Sequence, residues 1–152
     1  MAMNLLFVCT ANISRSFLAE KLMKYEIEKR SLDNVSVQSA GVYANPGYPP
    51  DPKMVEYLTE NDIPVSEHES RRIQEEDILW ADYILVMEKA HAKEIISLWP
   101  EAKNKVALLG QFVSGDQTAD DVVDPYGRTP FHYRLAQSQI SLGIRNFIET
   151  RL

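Results

Sequence analysis

A chain of 152 residues is the size of one domain and long enough to bury a core without disulfides or a structural metal. With 45% hydrophobic and 25% charged residues it falls outside the collagen-like, disordered and disulfide-scaffold classes, and no apolar run nears the roughly 20 residues of a membrane helix. Sixteen Lys and Arg against 22 Asp and Glu leave a net charge of −6. That balance argues against nucleic-acid or membrane-surface binding, so an anionic ligand must be held by a local site.

In chain order, Asn4–Val8 is a short continuous apolar run, as expected of a strand buried on both faces. Met1 to Val8 carries neither a basic leader nor a small-residue cleavage site, so it is expected to be structure and not a signal peptide. From Ser16, apolar residues recur at helical spacing (Leu18, Ala19, Leu22, Met23, Ile27) with Glu and Lys between them. Val35–Ser39 reads as a second strand. Asp51-Pro52 opens a helix, Asp51 as cap and Pro52 in its first position. Glu67–Asp77, of mixed charge, is expected to be an exposed helix start. Tyr83–Met87 and Val106–Leu109 are two more buried runs, with Trp80 and Trp99 packing at the ends of apolar stretches. Gly110–Thr129 reads as a loop, after which Thr129-Pro130 starts a helix with Ala136, Ile140, Ile144 and Phe147 on one side.

Strands alternating with amphipathic helices predict a single doubly wound α/β domain over residues 1–152, a parallel sheet with helices on both faces. Ligands of such folds bind beyond the carboxyl ends of the strands, so the loop after the first strand is the place to look. It reads Cys9-Thr10-Ala11-Asn12-Ile13-Ser14-Arg15-Ser16. Loop amides from Thr10 to Ser14, joined by the N-terminus of the following helix, are expected to converge as an anion site. Arg15 adds a planar fork suited to two phosphate oxygens. Cys9 lies under the same positive focus, which favours thiolate, and the Ser16 hydroxyl could hydrogen-bond to it. A thiolate facing a bound phosphate is set for in-line attack. An inert buried thiol would account for Cys9 alone, but not for the arginine and serine at this offset between strand and helix.

A leaving alkoxide or phenoxide needs a proton. Asp116, Asp120, Asp121 and Asp124 lie in the long loop, and Asp124 stands out because Pro125 stiffens its backbone and Tyr126 could wall a substrate ring. The acidic run lacks the spaced ligands and central glycine of a calcium loop, and the three histidines share no ligand-like spacing with Cys9, so no metal is expected.

Cys9–Ser16 together with Asp124-Pro125-Tyr126 resembles the low-molecular-weight protein tyrosine phosphatases, and Ser39-Ala40-Gly41 and Asp82–Met87 resemble further segments of that family. The resemblance implies a four-stranded parallel sheet, a phosphocysteine intermediate on Cys9, phosphate held by Arg15, and Asp124 as general acid and then base. It implies that Asn12 shapes the loop and Ser16 donates to the thiolate, with no metal or organic cofactor. Expected partners are phosphotyrosine-containing proteins, and inorganic phosphate as product and inhibitor. With one cysteine and no disulfide possible, a cytoplasmic setting is expected.

The chain departs from that pattern in places. Ala11 stands where the family usually has glycine, which would be strained if the position required a positive φ. Ser14 replaces a second cysteine that many members carry, so peroxide is expected to take Cys9 to sulfenic and sulfinic acid with no internal disulfide to rescue it. Phe17 replaces a proline, and Tyr43, Tyr48 and Tyr126 are the candidates to wall the cleft where many members use tryptophan. Arsenate reductases of this fold need further cysteines. A module that only binds phosphate gives no reason for the thiol or Asp124. Bacterial protein arginine phosphatases have a similar loop, and Ser39–Pro46 and Asp121–Gly127 resemble them as much as the tyrosine phosphatases. Ile13 favours phosphotyrosine over phosphoarginine, because a branched apolar side chain packs on a phenyl ring but leaves guanidinium donors unpaired.

Overall fold

A computed structural model describes residues 2–114 and 120–152. Its elements are β1 (Met3–Cys9), α1 (Arg15–Lys29), β2 (Val35–Gly41), α2 (Pro52–Glu60), α3 (Glu75–Trp80), β3 (Tyr83–Val86), α4 (Lys89–Leu98), β4 (Val106–Leu108), α5 (Leu109–Ser114) and α6 (Pro130–Arg151), with a 3₁₀ turn at Pro100–Asn104. The four strands form one parallel sheet in the order β2-β1-β3-β4. The chain first winds from β1 outward to β2 and then crosses back to β3 on the other side of β1. The switch point therefore falls at the carboxyl end of β1, where Cys9 stands.

Alternation along β1 sends Leu5, Phe7 and Cys9 into one core and Leu6 and Val8 into the other. The first core is closed by α1, α5 and α6, through residues such as Phe17, Met23, Phe112, Ile140 and Phe147. Ile78 of α3 and Ile95 of α4 help to close the second, with Trp80 and Trp99 half-buried at its edge. β1 and β3 place side chains in both cores, which is why their sequences read as uninterrupted apolar runs, whereas β2 at the sheet edge leaves Ser36 and Gln38 exposed.

Two expectations change. Residues 67–74 are not helical. They run extended beside the loop, with an isolated bridge from Arg72 to Gly41, and α3 begins only at Glu75. Asp77 is buried because its carboxylate takes the Arg71 guanidinium at 2.7 and 3.2 Å, a bidentate pairing that charge alternation in the sequence does not reveal. The segment expected as one long loop from Gly110 starts with α5, whose Phe112 packs edge-on against Phe147 of α6. Asp116, one of the four acid candidates, lies outside the described residues. The Asp51 cap forms as expected, accepting the Lys53 amide at 3.0 Å, and its second oxygen accepts the Tyr133 hydroxyl at 2.6 Å, tying α2 to α6. At Thr129 the hydroxyl meets His132 Nδ1 at 2.7 Å instead of capping the helix backbone.

Gly41 shows how tightly β2 supports the loop. A Cβ built on it would lie 2.5 Å from the Thr10 carbonyl oxygen, 2.9 Å from the Asn12 amide and 3.0 Å from the Ala11 carbonyl carbon, all backbone atoms that cannot move aside separately. Gly41→Ala is expected to cost about 1–3 kcal/mol of stability in urea unfolding. It should also lower turnover, because the atoms it displaces belong to the loop.

Candidate active site

The loop between β1 and α1 carries one left-handed residue, Asn12 at φ 58°, and Ala11 is not among the positive-φ positions. The alanine is therefore unstrained, and the conformational demand falls on asparagine, a residue whose short polar side chain tolerates it. A left-handed residue among right-handed neighbours turns successive N–H groups toward one point.

Asn12 is held on every side. Its Oδ1 accepts the Arg71 amide at 3.0 Å, which orients the side-chain amide so that Nδ2 donates to Ser16 Oγ at 2.8 Å and to Ser39 Oγ at 3.0 Å. Its carbonyl accepts His68 Nε2 at 2.7 Å. Ser39 in turn donates to Glu20 at 2.6 Å. Burial would raise the Glu20 carboxyl, but hydrogen bonds from Ser39 and Lys24 and the charges of Lys21 and Lys24 outweigh it and hold Glu20 below the usual range. Ser16 Oγ accepts from Asn12 and keeps its own proton available to donate to Cys9 Sγ, 2.9 Å away. Cys9 is 3% exposed and makes that contact inside the protein.

Arg15, at the start of α1, is 2% exposed and held in place below the loop. Nη1 donates to the Val122 carbonyl at 2.9 Å, and Nη2 lies 2.7 Å from Glu88 Oε2 and 3.7 Å from Asp124 Oδ2. These contacts fix the plane of the guanidinium while leaving further N–H donors for a ligand. Asp124 is half-exposed at the mouth, with its other oxygen accepting the Tyr126 amide at 3.2 Å. Asp121 is instead tied to the Lys89 amide at 2.8 Å and Asp120 is exposed, and neither lines the cleft.

A cavity of about 380 Å³ opens over these groups, lined by Cys9, Thr10, Ala11, Ile13, Ser14 and Arg15 at its base and by Asp124, Tyr126, Tyr43, Tyr48, Asn45 and Ser70 around it. All three tyrosines named from the sequence reach it. Ser14 precedes α1 as its N-cap residue, but its hydroxyl caps nothing and is the buried side-chain polar atom without a partner among the described residues.

The sequence assigns no role to the Ser39 hydroxyl, Arg71 or Glu88, and offers His68 and His91 only as metal ligands. Glu88 and His91 do carry one signal, since they follow the carboxyl end of β3, beside the switch point. His91 is held near pKa 4 by burial and by the charge of Arg15, against the opposing pull of Glu88, Asp121 and Asp124. Its unfolded form protonates near 6.5, so the unfolded chain takes up a proton that the folded chain refuses as pH falls between these values. Stability should therefore drop with acidification across that window, by up to about 3 kcal/mol from this group. His68, also lowered by burial, adds in the same direction. Urea midpoints at neutral pH and near pH 4.5 check this, and His91→Gln should flatten the slope.

A parallel sheet with a cysteine, an arginine and an aspartate brought to one cleft at its switch point defines a phosphoryl-transfer class of α/β enzyme. The family model described as "Low molecular weight phosphotyrosine protein phosphatase" matches residues 4–151. The chain is 37% identical over 149 residues to a protein-arginine-phosphatase of Geobacillus stearothermophilus, covering 98% of this chain and 96% of that one. It is 35% identical over 144 residues to a probable low molecular weight protein-tyrosine-phosphatase, EpsP, of Ralstonia nicotianae, covering 95% and 92%. The crystal structure of a YwlE mutant from Bacillus subtilis superimposes with a TM-score of 0.88 at 36% identity over 97% of each chain. The chain belongs to the low molecular weight phosphotyrosine protein phosphatase family and is a cysteine-dependent phosphatase.

Proposed function

We propose that the enzyme removes phosphate from phosphotyrosine in proteins through a phosphocysteine intermediate on Cys9. The observation that carries this reading is the convergence of Cys9, backed by Ser16 at 2.9 Å, with Arg15 and Asp124 on one cleft. The phosphate dianion docks on the amides of residues 10–14 with Arg15 paired to two of its oxygens. Cys9 Sγ attacks phosphorus as the P–O bond to the phenol breaks, and Asp124 protonates the departing oxygen. Asp124, now a carboxylate, takes a proton from water, which attacks the thiophosphate and releases inorganic phosphate and the thiolate. Among relatives, an arginine phosphatase mutant has been seen with its active-site serine phosphorylated. Inorganic phosphate is both product and inhibitor, and no metal or organic cofactor takes part in the steps. No helix among the described residues is long and apolar enough to cross a membrane, and the lone cysteine as nucleophile suits a reducing, cytoplasmic setting.

Ile13 and the tyrosines around the cleft support an aromatic substrate, since they supply apolar faces for a ring. A second reading, a protein arginine phosphatase with the same mechanism, is favoured by the relatives of that name at 37% identity. Hydrolysis of phosphotyrosine and phosphoarginine peptides in parallel, with Cys9→Ser as blank, separates them. Faster phosphotyrosine turnover is expected. Faster phosphoarginine turnover would keep the mechanism and overturn the substrate, and hydrolysis of neither would leave the loop as a binding site.

A further inference from the structure

His91 is a buried imidazole in the first turn of α4, and the mechanism above gives it no task. Its protonation follows from its neighbours. The Glu88 amide can only donate, and it lies 3.1 Å from Nδ1, so the ring proton sits on Nε2. That Nε2–H points at Thr10 Oγ1, 2.9 Å away. Thr10 is the residue directly after Cys9. Three residues before His91, the Glu88 carboxylate lies 2.7 Å from Arg15 Nη2. The first turn of α4 thus grips the first residue of the loop through His91, and the cap residue before it, Glu88, grips the closing arginine.

The grip is stiff because α4 is tied to the sheet beside β1. Met87, at the end of β3, donates its amide to the Val8 carbonyl at 3.1 Å, and Val8 pairs with Val86 in register. From the opposite side, the Tyr43 amide donates to the Thr10 carbonyl at 2.9 Å. Thr10 is therefore pinned by its side chain from α4 and by its backbone from the segment after β2.

We propose that His91 is a positioning residue, whose Nε2–H···Thr10 bond sets the entry of the phosphate loop while Glu88 sets its exit at Arg15. The inference rests on the reading of residues 9–16 as the phosphate-binding loop. Helix capping alone does not require an imidazole here. An asparagine at 91 reproduces the acceptor at the Nδ1 position but falls short of Thr10, whereas a glutamine carries an N–H donor at the ε position.

The test uses the full-length enzyme and four variants: Thr10→Val, His91→Asn, the double variant, and His91→Gln. For each, kcat and KM are measured with p-nitrophenyl phosphate, inorganic phosphate affinity by calorimetry, and stability in urea. Thr10→Val and His91→Asn are each expected to weaken phosphate binding and kcat/KM by about 3- to 10-fold. The double variant should be no worse than the poorer single one, because both remove the same bond. His91→Gln should recover most of the loss relative to His91→Asn. Additive losses, or full activity in Thr10→Val with only reduced stability in His91→Asn, would overturn the proposal. If the unmodified enzyme binds phosphate but hydrolyses nothing, the catalytic reading fails, and the calorimetric series still decides whether His91 positions the loop.

Discussion

Cys9→Ser is expected to reduce turnover by more than about 10⁴-fold while phosphate binding persists. Serine places an oxygen where the sulfur was, within reach of the Ser16 hydroxyl, and the small change in volume leaves β1 and its two cores in place. A serine hydroxyl is hardly ionised at neutral pH, and among the described residues the side chain hydrogen-bonded to Cys9 is Ser16, an alcohol that cannot serve as a base. The nucleophile is lost, but the Arg15 guanidinium keeps its partners Val122 and Glu88, and the loop of residues 10–14 keeps its place for phosphate. Single-turnover assays with a phosphotyrosine peptide measure the first half of this expectation, and calorimetric titration with inorganic phosphate the second. Persisting turnover would remove Cys9 from the chemistry, and loss of phosphate binding would show that the thiolate is needed to shape the loop.

Asp124→Ala should lower kcat with phosphotyrosine by roughly 10²–10⁴-fold. The carboxylate is half-exposed, so its removal should cost little stability, and Arg15 keeps its 2.7 Å pairing with Glu88. The loss should shrink as the leaving phenol becomes more acidic, because a better leaving group has less need of a proton. A series of aryl phosphates reads this directly. A near-normal rate would move the acid to Asp120 or Asp121. The geometry speaks against both, since Asp121 is engaged by the Lys89 amide and neither borders the cleft.

These two substitutions touch residues that are legible in the sequence, and the reason is locality. Cys9, Arg15 and Ser16 lie within eight residues, and a strand followed by a helix fixes how such a loop must turn. The apolar runs at Asn4–Val8, Tyr83–Met87 and Val106–Leu109 mark strands because a sheet covered on both faces needs both sets of side chains apolar. From those patterns alone come the parallel doubly wound class and the location of the site. Asp124 was legible only as one of four candidates, since nothing local distinguishes it from Asp120 or Asp121 beyond the proline and tyrosine that follow.

Only the tertiary structure decided the surroundings that tune the loop. Asn12 meets Ser39 and Arg71 across 27 and 59 positions, Thr10 meets His91 across 81, and Arg15 meets the Val122 carbonyl across 107. No spacing rule reaches that far, because these partners become neighbours only when β1 takes its place between β2 and β3. The same holds for backbone strain. Ala11 was the suspect by analogy, yet the left-handed residue is Asn12. The sequence by itself thus determined the fold class and the strand-to-helix loop that carries Cys9 and Arg15, through periodicity and short-range geometry. Which of the described aspartates borders the cleft, the setting of Arg15 and the contacts of His91 and Glu88 with the loop were decided by packing, since each depends on side chains that meet only after the sheet has closed.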